Sequence, residues 1–517
     1  MSSLQRILPG AAGGALYDSV ASRRIEAEAL AGSAEHVLMQ RAGQAVVQLA
    51  LALAPHARRI HVACGPGNNG GDGLVAATLL HGLGKTVEVA WLGDTATVSG
   101  DAAWALSVAR QAGLSIAAQA AGAAPDLAID ALLGLGGTRA PGGALLDAIL
   151  RLNALACPRL AVDLPSGLCG DTGRLHGSHA VQASASLSLL TLKPGLFTGQ
   201  GRDHAGEVWF ADLGASAHAL QAAPPTARLG DGAAARRLFS PRHHAAHKGS
   251  FGDLWVLGGD HGMTGAAVLA ARAGLLAGAG RVLVNLLAAT GDAGPPSHDA
   301  LRPELMQRDR AAWQAAGVLE AATLVCGCGG GLAVASVLAE ALRRAARLVL
   351  DADALNAIAA EPTLAEQLAR RGREGRPTVL TPHPLEAARL LGCPTAQIQQ
   401  DRLAAAQALS GRFGAVVVLK GSGTVVSAPS ALAVVNPSGN ARLATAGSGD
   451  VLAGWLGGLW SRHPAGPVPM EAARQAAEAA VWLHGRAAEI DAPATRAGLP
   501  LPASDLLAAL PRAVLAS

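Results

Sequence analysis

Aromatic side chains are scarce in this chain, with one Tyr, five Phe and eight Trp among 517 residues. Half the residues are nevertheless hydrophobic, much of that half is Ala, and 64 are Gly, a balance that argues against an aromatic-rich β-sandwich and for helices packed closely on a sheet. The six cysteines (Cys64, Cys157, Cys169, Cys326, Cys328, Cys393) form no C-x-x-C pair and no His-Cys cluster with zinc spacing. Neither a disulfide framework nor a structural metal is therefore expected, and Cys326 and Cys328 read as structural cysteines in a reducing cytoplasm. No charge-free run of spanning length is strongly apolar rather than Ala- and Gly-rich, so no membrane span is expected. Pro9 and Gly10 interrupt the apolar stretch after Arg6, which argues against a signal peptide. A formal charge of +3 requires neither nucleic acid nor an acidic membrane as partner. Lysine is also rare: only Lys85, Lys193, Lys248 and Lys420 occur, and arginine does the remaining surface work. The four positions point to places where a compact ammonium serves better than a planar guanidinium.

A length of 517 residues exceeds one ordinary core, and two or three domains are expected. Helical periodicity runs from Tyr17 to about Leu30 and from Met39 to Ala54. Ile60 to Cys64 then reads as a strand, followed by Gly65-Pro66-Gly67-Asn68-Asn69-Gly70-Gly71-Asp72-Gly73 and a helix from Leu74 to about His81. Strand, glycine loop and helix in that order make a dinucleotide cradle, and Glu88 lies near the position of a ribose-binding acid. The asparagines and Asp72 add oxygens able to hold a monovalent cation or a sugar hydroxyl. Further strands at Val87–Leu92, Leu127–Leu133, Arg159–Asp163 and Ala185–Thr191 alternate with helices, the pattern of a parallel sheet covered on both faces. Ligands sit beyond the carboxyl ends of such strands, where this chain places Asn68 to Asp72, Asp130 with its following glycine loop, and Asp163 to Gly167. Lys193, after another strand end, reads either as a contributor to that crevice or as a solvated side chain.

The loops Asn68-Asn69-Gly70-Gly71-Asp72-Gly73 and Val162-Asp163-Leu164-Pro165-Ser166-Gly167 resemble the signature loops of the NAD(P)H-hydrate epimerase family, with Leu164 where Ile is more usual. The resemblance covers residues 15–213. It implies that Asn68, Asn69, Gly70, Gly71 and Asp72 bind a hydrated nicotinamide nucleotide together with Gly134, Leu135, Gly136, Gly137, Thr138, Arg139 and Ala140. It implies further that Asn69, Asp130 and Ser166 hold a potassium ion, and that Asp163 contacts the substrate as the positioned acid or base.

Gly214 to Arg237 is rich in Ala, Pro and Gly without apolar periodicity, so residues 215–240 read as a linker between a domain 1–214 and a domain 241–517. In the second half the strand Leu254–Leu257 leads through Gly258-Gly259-Asp260 into a helix reaching Gly280. Arg281–Leu286, Thr323–Cys326, Arg347–Asp351, Thr378–Thr381 and Val416–Lys420 read as further strands. Their ends collect Gly327 to Gly331, Asp351-Ala352-Asp353, His383 between two prolines, and Lys420-Gly421-Ser422-Gly423-Thr424. His383 is expected to be held in an extended loop facing a ligand. Thr445-Ala446-Gly447-Ser448-Gly449-Asp450 precedes the apolar stripe Val451, Leu452, Trp455, Leu456, Leu459, so a helix is expected where the glycines end. Its amino terminus would offer N–H donors to phosphate beside the Asp450 carboxylate.

Lys420 to Thr424 followed by Gly447 to Asp450 resembles the nucleotide end of the ribokinase-like superfamily. With His247-Lys248-Gly249, Gly258-Gly259-Asp260, Asp353-Ala354-Leu355-Asn356 and Thr381-Pro382-His383-Pro384 in order, residues 241–490 resemble the NAD(P)H-hydrate dehydratase family. Departures are Cys326-Gly327-Cys328-Gly329 where Gly-Pro-Gly-Leu-Gly is usual, Leu385 for a common Gly and Ala444 for a common Met. The implied fold is α/β in two domains, a Rossmann-like parallel sandwich and a ribokinase-like domain. The resemblance implies Ala266, Gly331, His383 and Asp450 around the hydrated substrate, with Lys420, Gly421, Ser422, Gly423, Thr424 and Gly449 around the nucleotide. Asp450 would be the catalytic base, ADP the donor with Mg²⁺, and NADHX and NADPHX the substrates of a cytoplasmic homo-oligomer. A kinase for another small hydroxylated metabolite, or a nucleotide sensor without turnover, would carry the same glycine loops.

Overall fold

Short β-branched runs separated by Ala-rich helices assemble into two α/β units in the computed structural model, which describes residues 4–8, 14–31, 33–94, 96–119, 122–239, 242–288, 299–463, 470–490 and 498–516. The first unit extends to Arg228 and the second begins at Leu229. Pro241, where the second domain is expected to start, lies outside the described residues. The stretch read as a linker is structured: helix Ala217–Leu220, strand Ala227–Leu229 and helix Ala233–Leu238 occupy half of it. Elements of three to six residues are too short to register as periodicity, which is why composition alone read as linker.

The first unit contains β1 (Leu4–Arg6), β2 (Ala15–Leu16), β3 (Arg59–Cys64), β4 (Thr86–Trp91), β5 (Ser115–Ala117), β6 (Leu127–Ala131), β7 (Arg159–Val162), β8 (Ala185–Leu189), β9 (Glu207–Ala211) and β10 (Ala227–Leu229). Its main sheet runs β1-β9-β8-β7-β6-β3-β4-β5, parallel throughout except for the edge pair β1/β9. The chain leaves β3 toward β4 on one side and returns to β6 on the other, so the loops after β3 and β6 diverge and open a crevice at the carboxyl ends. The helix after β3 starts at Asn68 rather than Leu74, which places the asparagines and glycines in its first turns. Glu88 sits inside β4 and accepts from Gly122 N at 3.1 Å, so it does not serve the crevice as a ribose acid.

The second unit contains β11 (Asp253–Gly258), β12 (Arg281–Leu286), β13 (Met306–Gln307), β14 (Thr323–Cys326), β15 (Arg347–Leu350), β16 (Thr378–Leu380), β17 (Val416–Leu419), β18 (Val425–Ser427) and β19 (Ala433–Val435). They pair in the order β13-β12-β11-β14-β15-β16-β17-β18-β19. Pairing is parallel as far as β17 and antiparallel in the hairpins to β18 and β19, two strands absent from the sequence reading. The chain again splits from one strand, β11, to β12 and β14. Helix Thr264–Leu276 ends four residues before Gly280, and helix Ser448–Ser461 is packed against it. Close approach is what the glycines supply: a Cβ on Gly454 would stand 1.9 Å from Ala270 O, and one on Gly458 would stand 2.4 Å from Gly274 O. Both contacts are with backbone, which has nowhere to move.

Gly454→Ala is therefore expected to destabilise the second unit by roughly 1–3 kcal/mol through overpacking. Denaturant unfolding followed by a probe in each unit should show the loss in the second unit and none in the first.

Candidate functional site

Carboxylates gather where the first sheet changes direction. A Cβ on Gly65 would stand 1.9 Å from Leu132 O, so the loops after β3 and β6 touch backbone to backbone at the base of the crevice. Asp130, at 1 % exposure, accepts from Ser166 Oγ at 2.6 Å, from Ser166 N at 2.8 Å and from Leu132 N at 3.2 Å. Burial pushes it up to about 6 against those hydrogen bonds. Asp130 and Ser166 are thus brought together. Asn69 Oδ1 and Asp163 Oδ2 instead converge on Gly134, lying 3.2 and 3.3 Å from where its Cβ would be. Both ends of the Asn69 amide are buried without a hydrogen-bond partner. An orphaned amide of this kind asks for a ligand.

Asp163 occupies a left-handed conformation (φ 64°), uncommon for a residue with a side chain. Lys193, 1 % exposed, holds it by an ion pair to Oδ1 and donates to Leu189 O at 2.7 Å. The solvated alternative for Lys193 is thereby overturned, because strand β8 ends by turning the lysine inward. Burial and the neighbouring Asp163 and Glu26 carboxylates raise the Asp72 carboxyl well above its ordinary value. Glu26, from helix Ser19–Ala31, is raised by burial and Asp163, and nothing in its local sequence marks it. Gly136, Thr138, Arg139 and Ala140 are exposed on the loop after β6, while Gly70 and Gly71 are buried under Asn68.

In the second unit the loops after β11 and β14 are laced together by Gly259 N to Cys328 O (3.0 Å) and Asp260 N to Gly329 O (2.7 Å). Gly331 N donates to Asp353 Oδ2 at 2.9 Å, and a Cβ on Gly329 would meet the Ala266 methyl at 2.8 Å, so the Gly329–Gly331 loop packs against Ala266. Asp351, 1 % exposed at the end of β15, accepts from Lys420 Nζ (2.7 Å) and Thr381 Oγ1 (2.7 Å). Burial opposes the Lys420 charge, yet Asp351 and Glu386 raise its affinity for the proton. A Cβ on Gly449 would lie 3.5 Å from Lys420 Nζ, which sets the ammonium against the first turn of helix Ser448–Ser461. That helix begins at Ser448, so Gly449 and Asp450 lie within its first turn rather than before it, and Gly447 precedes it in a left-handed conformation (φ 87°).

Asp450 is pushed up to about 6, by burial first and then by Asp351, with Cys328 and Lys420 opposing. Cys328 is fully buried beside these acids. Its thiol donates to Asp351 Oδ2 at 3.8 Å, and one ligand atom from each of Cys328, Asp351 and Asp450 lies within 4.8 Å of the others. Burial and the two carboxylates keep that thiol protonated. His383 caps helix Pro384–Leu391: its Nδ1 accepts from Leu385 N and Glu386 N, both at 3.1 Å, and its backbone N donates to Glu386 Oε2 at 2.7 Å. Its Nε2 lies 3.2 Å from Glu386 Oε1, a carboxyl raised to about 7 by burial, and the ring is partly exposed. Gly421, Ser422, Gly423 and Thr424 form the β17–β18 turn, closed by Thr424 Oγ1 to Gly421 O at 3.0 Å. Arg402, 2 % exposed, fastens this turn by donating to Leu419 O (3.2 Å) and Lys420 O (3.0 Å). His484 Nε2 lies 2.9 Å from Ser448 O behind the glycine loop, and burial lowers it to about 4. The sequence reading missed Asp351 as the lysine's partner, Cys328 as its neighbour and His484 as the support; for Asp351 a signal was present in its place at the end of β15.

Two family models match the chain, NAD(P)H-hydrate dehydratase over residues 254–512 and YjeF-related protein N-terminus over residues 35–195. The chain is 37 % identical to the bifunctional NAD(P)H-hydrate repair enzyme Nnr of Escherichia coli over 96 % of its own length and 93 % of that protein. It is 36 % identical to the enzyme of the same name from Coxiella burnetii, over 92 % of this chain and 94 % of that one. An ADP-dependent (S)-NAD(P)H-hydrate dehydratase of Neisseria meningitidis is 43 % identical over 49 % of this chain and 81 % of its own.

Lys193→Met is expected to cost the first unit about 3–5 kcal/mol, since it strands the buried Asp163 charge. In urea unfolding, adding Asp163→Asn to that variant should recover part of the loss, so that the two substitutions are less than additive.

Proposed function

We infer, from the premise that this chain belongs to the family of bifunctional NAD(P)H-hydrate repair enzymes, that it returns hydrated nicotinamide cofactors to use in two steps. Residues 1–214 carry the epimerase, which interconverts the R and S hydrates, and residues 241–517 carry the ADP-dependent dehydratase, which acts on the S form. The observation that carries the dehydratase assignment is the meeting of Lys420, Asp351 and Asp450 at the amino terminus of helix Ser448–Ser461.

The hydrate bears a hydroxyl on C6 beside the ring nitrogen, and hydroxide leaves poorly. We assign Asp450 to take the proton of that hydroxyl as its oxygen bonds to the terminal phosphorus of ADP. The bond from phosphorus to the AMP oxygen breaks, and amides at Gly447 to Gly449 with the Lys420 ammonium face the charge that develops. Phosphate then departs with the C6–O electron pair, assisted by the nitrogen lone pair, and C5 loses a proton to restore the double bond. A base buried to about 6 is ionised at neutral pH and still accepts a proton readily. Ala266, Gly331 and His383 would border the ring, and the Gly421 to Thr424 turn the nucleotide. Asp351 Oδ2, which accepts a weak hydrogen bond from the Cys328 thiol, is the oxygen that would hold Mg²⁺, whose chemistry there would be to neutralise the charge of the nucleotide phosphates.

In the first unit, reversible ring opening or loss of the hydroxyl exchanges the configuration at C6. We assign Asp163, positioned by Lys193, to move the proton, with the hydrate lying along Asn68 to Asp72 and Gly134 to Ala140. The orphaned Asn69 amide fits a monovalent cation, and Asn69, Asp130 and Ser166 would hold potassium, which would fix the substrate phosphate or the surrounding loops.

Incubating the protein with each epimer of hydrated NADPH, with ADP, ATP or neither, and following recovery of dihydronicotinamide absorbance tests the assignment. The S form should recover with ADP directly and the R form only after epimerisation; a stable phosphorylated product would mark a kinase instead. Asp450→Asn should lower dehydration by roughly 10²–10⁴-fold. Because Asp450 works deprotonated and its folded value lies at about 6, kcat/KM should fall as pH drops through that value, and the variant should lose this limb.

A further inference from the structure

Opposite the nucleotide crevice, the amino ends of β15 and β16 carry a concentration of positive charge. Helices Ala335–Arg344 and Pro362–Arg373 both finish in basic last turns that feed these strands. Between them opens a cleft of ≈ 330 Å³ whose lining includes four arginines, Arg343, Arg370, Arg371 and Arg376, and two acids, Glu340 and Glu374. Glu340 is already engaged by Arg344 NH1 at 2.9 Å and Gln314 Nε2 at 2.8 Å. Glu374 reaches Arg370 at 3.3 Å across exposed surface.

Arg371 is the unusual member. At 1 % exposure it donates only to neutral acceptors: Thr378 Oγ1 (2.7 Å), Leu342 O (3.1 Å), Pro377 O (3.2 Å) and Ala346 O (3.3 Å). Arg376 beside it donates to Arg343 O (2.6 Å) and Ala345 O (3.0 Å). Buried charges are ordinarily paired with an opposite charge; among the described residues Arg371 has no carboxylate within ion-pair distance, and Glu374 acts on it only from farther off. Burial first and then the Arg376 charge push Arg371 down to about 9, with Glu374 opposing. Arg343 and Arg370 stand exposed at the mouth, Arg370 beside Glu374, and guanidinium forks in that position suit a planar or tetrahedral oxyanion.

We propose that this cleft is a second anion site, taking a phosphate or phosphomonoester between Arg343 and Arg370 with Arg371 and Arg376 behind. It is separate from the catalytic crevice, since the strands that begin here run roughly 13 Å before ending at Asp351 and Thr381. Phosphate and AMP, the products of the proposed dehydration, both carry the required group.

The test uses the full chain without hydrate and saturated with ADP, so that the nucleotide crevice is filled. Inorganic phosphate and, separately, AMP are titrated calorimetrically at constant ionic strength. One saturable site should remain, and Arg343→Ser with Arg370→Ser should weaken it by about tenfold or more while leaving dehydratase kcat and KM for ADP unchanged. Equal affinity for the two ligands identifies the phosphate group alone as what is held; tighter AMP identifies the nucleotide. Absence of saturable binding of either, or undiminished affinity in the doubly substituted protein, overturns the proposal. Unfolding of the variant checks its fold, and both substituted side chains are at the surface.

Discussion

An ammonium sunk against a strand-end carboxylate is the constraint on which each crevice depends. Lys193 meets Asp163 in the first unit and Lys420 meets Asp351 in the second, and each carboxylate lies at the carboxyl end of a parallel strand. Burying either charge costs desolvation, and the opposite charge beside it offsets that cost. The pair therefore fixes where the remaining acids can sit and how readily they ionise. Asp450 shows the consequence: burial and Asp351 raise its carboxyl while Cys328 and Lys420 pull it back, leaving it pushed up to about 6.

Backbone proximity brings these groups into register. In the first unit Gly65 lets the loops after β3 and β6 meet, and Gly70 in turn packs onto Gly65 O, where a Cβ would come within 1.9 Å. In the second, Gly454 and Gly458 let helix Ser448–Ser461 settle on helix Thr264–Leu276, and Val451 to Ser461 are buried along it. A helix held that firmly presents its amino terminus to the crevice without rearrangement. His484 adds a polar support through Ser448 O, and burial keeps its ring neutral. The chain's poverty in aromatics and wealth of Ala and Gly thus serve one purpose, which is to bring helix ends close to strand ends.

Much of this was legible in order along the chain. The core strands at 254–257, 281–286 and 323–326, and the glycine loops after β3, β6, β11 and β14, are local patterns of β-branched and Leu-rich runs closed by small residues. Strands of two or three residues such as β13, β18 and β19 were not, since they exist only through their neighbours' hydrogen bonds. The two halves of the Asn69, Asp130, Ser166 set also part company in detail: Asp130 and Ser166 bond directly, while the Asn69 amide turns toward Gly134 and Asp163. No spacing rule reports which way an amide faces.

The sequence by itself determined the two-part α/β plan, the glycine loops at the strand ends and the candidate base at position 450, because each is written in contiguous residues whose propensities act locally. Only the tertiary structure decided that Lys193 is buried, that Lys420 is answered by a carboxylate 69 positions earlier, that Cys328 faces two acids and that Arg371 is buried among neutral acceptors. Burial and electrostatic partnership are properties of what the folded chain brings together across the sheet, and separation along the chain carries no record of them.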